Sequence, residues 1–73
     1  METMGQRIKR MREARGWTQG QLADQVGVTV SAVSQWELDS TENVKLLPFL
    51  RLAKVLETDP YYLVFGPGRG TAE

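Results

Sequence analysis

Neither cysteine nor histidine occurs among the 73 residues of the chain. Without cysteine there is no disulfide framework and no sign of an oxidising compartment. Without either residue, the usual zinc sites, the Ser-His and Cys-His nucleophile pairs and a histidine acid-base are excluded. An enzyme is therefore not expected, and no metal or cofactor is. A long apolar run is also missing. The start, METMGQRIKRMREARG, has no apolar h-region, and no later stretch approaches the roughly 20 apolar residues of a membrane span. Neither a signal peptide nor a membrane helix is expected, which makes the cytoplasm the default location. Internal repeats and heptads are absent too. At 8.2 kDa the chain has room for one domain at most. A domain of that size buries only about 60% of the surface its unfolded chain exposes, so it needs an efficiently packed core.

Net charge is the last thing missing, because nine basic residues balance nine acidic ones. Their distribution is uneven. Through residue 21, Arg7, Lys9, Arg10, Arg12 and Arg15 face only Glu2 and Glu13, a local excess of +3. Residues 22 to 44 carry Asp24, Glu37, Asp39 and Glu42 with no positive charge, and Lys45, Arg51 and Lys54 then follow without an acid. A neutral sum therefore still permits a local basic surface of the kind that nucleic-acid binding requires.

What is present reads as helix throughout. Met4, Ile8 and Met11 recur at helical spacing and Gly16 supplies a stop, predicting a helix over about Met4 to Arg15. Thr18 and Gln21 form a capping-box pair ahead of Leu22, Ala23 and Val26, in a short helix ended by Gly27. Thr29 caps a third helix, with Val33 and Trp36 on its inner side. LDSTENVK lacks an apolar period and reads as a loop, and LPFLRLAKVLE resumes the helix with Phe49, Leu52, Ala53 and Leu56 on one side and Pro48 in its first turn. TDPYYLVFG gives a fifth helix, with Asp59 as cap, Pro60 at the first position and Gly66 as terminator. The fold expected is all-α, a compact five-helix bundle over residues 1–66. Residues 67–73 are expected to be a flexible tail or the start of a linker.

The second and third helices are joined by only VGVT. Two helices forced so close need a small residue where their axes approach, which Ala23 supplies, and a left-handed exit, which Gly27 permits. Val33 and Trp36, six and nine residues beyond Gly27, anchor the third helix. This spacing is that of a helix-turn-helix, whose second helix presents its outer face to the DNA major groove. Val30, Ser31, Ser34 and Gln35 occupy that outer face. They are short or neutral, so the backbone can approach base edges: Gln35 suits adenine, the serines suit several bases, and Val30 suits a thymine methyl.

Together the pieces RIKRMREARGWTQGQLADQVGV, SAVSQWE, LRLAKVLE and DPYYLVFG resemble the lambda-repressor-like (XRE-type) helix-turn-helix domains of phage repressors and their bacterial relatives, from about Gly5 to Gly66. The resemblance implies a five-helix domain that binds double-stranded operator DNA, usually as a homodimer on a palindrome. It matches Gln19, at the start of the second helix, to a phosphate contact, which a helix N-terminus favours. It matches Val30, Ser31 and Gln35 to base-reading positions, with Ser34 beside them. Thr29, Lys45 and Arg12 join the expected phosphate contacts, and Arg12 and Glu37 match an ion pair linking the first and third helices. One departure is the loop after Glu37, where relatives often carry a basic, glycine-containing segment and this chain offers Asp39 and Glu42.

Tyr61, Tyr62, Val64 and Phe65 exceed what one short helix can bury beside Leu63, and the resemblance places a dimer contact there. Two other readings of function stay open at this stage. One is the antitoxin of a toxin-antitoxin pair; the other is a protein-interaction module of this fold that has lost its DNA contacts. Whether the chain is a complete small regulator or the N-terminal piece of a longer one is also open.

Overall fold

In a computed structural model that describes residues 2–40 and 44–67, the chain forms five helices: α1 (Met4–Ala14), α2 (Gln19–Val26), α3 (Val30–Glu37), α4 (Leu46–Val55) and α5 (Pro60–Phe65). No strand occurs among the described residues. The predicted all-α, five-helix order is thus the observed one. The centre of the α3–α4 connection, including Glu42, and the end of the expected tail lie outside the described residues.

Side-chain caps start four of the five helices, all but α4. Thr18 accepts from the Gln21 amide while the Gln21 side chain accepts from the Thr18 amide, closing the expected capping box of α2. Thr29 caps α3 by accepting from the Ala32 amide at 3.1 Å, and Asp59 caps α5 by accepting from Tyr61. A second capping box, Thr3 with Gln6, opens α1. Gly27 leaves α2 with φ +85°, and its amide and that of Val28 both donate to the Ala23 carbonyl. That pair of hydrogen bonds closes the last turn and leads the chain directly into α3.

The core is Ile8 from α1, Leu22, Ala23 and Val26 from α2, Val33 and Trp36 from α3, and Leu52, Ala53, Leu56 and Leu63 from the C-terminal helices. Helix α3 packs between α1 and α2, α4 packs on α2, and α5 closes the bundle against α1 and α4. At Gly5 the first helix lies on the end of the third: a Cβ there would stand 2.4 Å from the Trp36 carbonyl oxygen and 2.7 Å from that of Glu37. Asp39, left-handed at φ 56°, folds back so that its carboxylate accepts from the Gly5 amide at 2.9 Å and from the Thr3 hydroxyl. An acid at a helix N-terminus meets the positive end of the dipole. The charge read as part of an acidic loop is therefore committed to holding α1 on α3.

Arg7 departs from the surface position that a basic residue of α1 suggests. It is 3% exposed; Nη1 donates to the Leu63 carbonyl at 2.6 Å and Nη2 to that of Glu2, and the guanidinium lies 5.5 Å from the centre of the Tyr62 ring. Its buried Nε stands 3.5 Å from Glu2 Oε1 and makes no hydrogen bond among the described residues. Arg7 thus ties the end of α5 to α1, and Gly66 leaves room for it, since a Cβ at Gly66 would meet Nη2 at 2.7 Å.

Candidate nucleic-acid interface

Helix α3 is held by its inner side and its foot, and its outer side is exposed. Val33 is fully buried and Trp36 is 6% exposed, while Val30 is half exposed and Ser31 and Gln35 are exposed. Ser34 is half-buried, so it stands nearer the flank of the helix than Ser31 and Gln35 do. Ala23 is buried beneath the α2–α3 turn, as the short connection requires. With about 1.5 Å of rise per residue, the eight residues of α3 span about 12 Å, close to the width of a major groove.

The foot of α3 is fixed by a buried charge network. Arg12 Nε donates to Glu37 Oε2 at 2.6 Å and Nη2 to Oε1 at 3.1 Å, a two-pronged pair across α1 and α3. Arg12 Nη1 donates to the Trp17 carbonyl at 2.7 Å, just ahead of α2. Gln19 Nε2 completes the set by donating to Glu37 Oε1 at 3.0 Å. One carboxylate therefore locks α1, the start of α2 and the end of α3 together. Its hydrogen bonds raise the affinity of Arg12 for its proton above the ordinary guanidinium value, against the opposing pull of desolvation. Of the two roles expected for Arg12, the structure shows the ion pair. Arg12 is 8% exposed and each guanidinium nitrogen donates inside the chain, so it is less accessible than the other expected phosphate contacts, of which Gln19 is half-buried and Thr29 and Lys45 are exposed.

Those contacts gather on two sides of α3. Gln19 stands at the first position of α2, beside amides that have no partner within the helix. On the other side, Thr29, Gln35 and Lys45 surround one open hollow of about 430 Å³, floored by Ala32, Trp36 and Pro48. Lys45 is exposed at the N-terminus of α4 and makes no capping bond with its side chain. Neutral and apolar groups on α3 are thus flanked by donors able to meet an anion.

The expected dimer residues divide. Tyr61 and Phe65, with rings stacked at 6.1 Å, are 59% and 62% exposed, and Val64 is 45% exposed. They share an apolar hollow of about 350 Å³ with Leu46, Phe49 and Leu50 of α4. Tyr62 is elsewhere: its hydroxyl accepts from Arg10 Nη2 at 2.7 Å and its ring faces Arg7. Sequence reasoning missed the α4 half of this surface. Leu46 and Leu47, each more than 60% exposed, precede the residues whose period points into the core, and exposed leucines adjoining that run were the signal available.

This geometry has close counterparts. Residues 8–63 match the helix-turn-helix family model. The P22 c2 repressor in complex with a synthetic operator is 37% identical over 92% of this chain and all of its own, with a TM-score of 0.86. SinR in complex with DNA is 30% identical over 84% of this chain and 97% of its own, at 0.77. The N-terminal DNA-binding domain of SinR from Bacillus subtilis is also 30% identical, covering 82% of this chain and 87% of its own, at 0.76. A family match across most of the chain, over a helix pair anchored at Ala23, Gly27, Val33 and Trp36, makes this chain a member of the helix-turn-helix family, of lambda-repressor-like fold.

Proposed function

We propose that the chain is a DNA-binding transcription regulator that works inside a bacterial or phage-infected cell, inserts α3 into the major groove of a palindromic operator as a homodimer, and represses by occupancy. The observation that carries this reading is the outer face of α3. Val30, Ser31 and Gln35 are exposed on a helix whose inner side and foot are fixed, with Gln19 on one flank and Thr29 and Lys45 on the other. Val30 and Gln35 read bases, the serines tolerate several, and Gln19, Thr29 and Lys45 hold phosphates. Arg12 and Glu37 act at one remove by setting the angle of α3 and the position of the Gln19 amide. The neighbours solved as operator or DNA complexes support the same assignment.

The apolar surface of α4 and α5 is the proposed two-fold contact. Large exposed apolar groups side by side, Leu46, Leu50, Tyr61, Val64 and Phe65, mark an interface more often than a free surface. A dimer closed there sets two α3 helices about 34 Å apart, one turn of DNA.

The division of labour is tested by two substitutions measured on a selected site and on random duplex. Gln35→Ala is expected to lose about 1–3 kcal/mol on the selected site and little on random DNA. Gln19→Ala is expected to weaken both alike, with thermal midpoints recorded because Gln19 also bonds Glu37. Equal losses from the two variants on both kinds of DNA would remove the assigned roles.

A further inference from the structure

A second surface, built from other residues, has the composition of a docking site. Where α1, α2 and α4 end side by side, Arg15, Trp17, Gln25, Arg51, Lys54 and Val55 line an open cleft of about 540 Å³. None of them lies on α3 or around the hollow beside it. One wall is held in place. Arg15 Nη2 donates to the Leu56 carbonyl at 2.8 Å, and the guanidinium lies 5.5 Å from the centre of the Trp17 ring. The one acid on the rim, Glu57, stands 3.5 Å from the same Arg15. On the opposite wall Arg51 and Lys54 are exposed, one helical turn apart, and neither pairs with a carboxylate among the described residues.

The cleft therefore carries three cations against one carboxylate, over a half-buried indole and Val55. Two of those cations, Arg51 and Lys54, have no carboxylate partner among the described residues. Phosphates alone would satisfy them but would leave the apolar floor unused. A peptide bearing carboxylates and one large apolar side chain satisfies both, and an extended segment of five or six residues spans about 17–20 Å. We propose that this cleft docks an acidic, extended segment of a partner protein, with carboxylates on Arg51 and Lys54 and an apolar side chain against Trp17 and Val55. Docking there leaves α3 uncovered, so a partner so bound can ride on the DNA-bound protein.

The test titrates the full chain, labelled with ¹⁵N, with the blocked peptide Asp-Glu-Leu-Asp-Phe-Glu and its uncharged counterpart Asn-Gln-Leu-Asn-Phe-Gln. The acidic peptide is expected to shift the Trp17 indole N–H and the amides of residues 51–57 while sparing residues 30–37, and to bind at least tenfold more tightly than the uncharged one. The double variant R51E/K54E, at exposed positions, is expected to lose at least tenfold in affinity with its thermal midpoint unchanged. Equal binding of the two peptides, full binding by the double variant, or shifts centred on Lys9 and Arg10 would overturn the proposal. So would a random duplex that moves the same signals and loses affinity in R51E/K54E, since the cleft would then be a phosphate contact. The proposal does not depend on what α3 reads, so a failure here leaves the DNA assignment intact.

Discussion

At Gly5 the close approach of α1 to α3 rests on a missing methyl group. Backbone carbonyls of Trp36 and Glu37 stand where a Cβ would go, and unlike a flexible side chain they cannot swing away. Gly5→Ala is therefore expected to cost about 1–3 kcal/mol in urea unfolding, the scale of overpacking, although alanine is the better helix former. Gly20→Ala is the control. Its nearest neighbours are 3.8 Å away, and the change is expected to leave stability level or raise it by up to about 1 kcal/mol. Comparable losses at the two positions would mean that the contact at Gly5 is not what holds α1 on α3. No local pattern marks Gly5, because its partners lie more than thirty residues away. The same holds for Asp39 bonding Gly5 and Arg7 bonding Leu63. Glu37 was legible only as half of a family ion pair; that it also holds Gln19 depends on the fold.

Among the elements, the helices whose caps lie within three residues of their partners were readable, as Thr18 with Gln21 and Asp59 with Tyr61 show. The tie between the chain's start and α5 was not. Glu2 accepts from Arg10 Nε at 2.7 Å, and the same Arg10 donates to the Tyr62 hydroxyl. That hydrogen bond first, and the charges of Arg10 and Arg7 after it, hold the Glu2 carboxyl below its ordinary 4.5 in spite of some desolvation. A carboxyl depressed in the folded state takes up its proton more readily when unfolded. Its stabilisation is thus complete above the ordinary carboxylate range and fades as pH falls through the depressed folded value. Between pH 6 and about 3 the thermal midpoint is expected to fall less steeply in Glu2→Gln than in the parent protein. Parallel curves would show that the pair contributes nothing measurable, as exposed ion pairs often do.

For the molecule as a whole, the outer residues of α3 and the apolar surface of α4 and α5 together form the proposed operator-binding dimer. Periodicity distinguished the inner side of α3 from its outer side, because Val33 and Trp36 are the large apolar residues at helical spacing there. In α4 it did not separate the core from the second apolar face. Leucines at 46, 47 and 50 continue the same run as Leu52, and only the packing of α5 shows which of them are left outside. Phe65→Asp places a charge in that face without touching the core. In sedimentation equilibrium at micromolar concentration, the parent is expected to approach twice its 8.2 kDa and the variant to remain at it. A monomeric parent would remove the two-fold contact from the account.

The most direct measurement of the central claim is selection of bound sequences from a random duplex pool at moderate salt. A palindrome whose half-sites lie about one turn apart is expected to be enriched, and preference within each half-site is expected to be lost when Gln35 is replaced by alanine. A pool that stays random, with no retention of duplex even at low salt, would contradict it and leave the fold without the function assigned to α3.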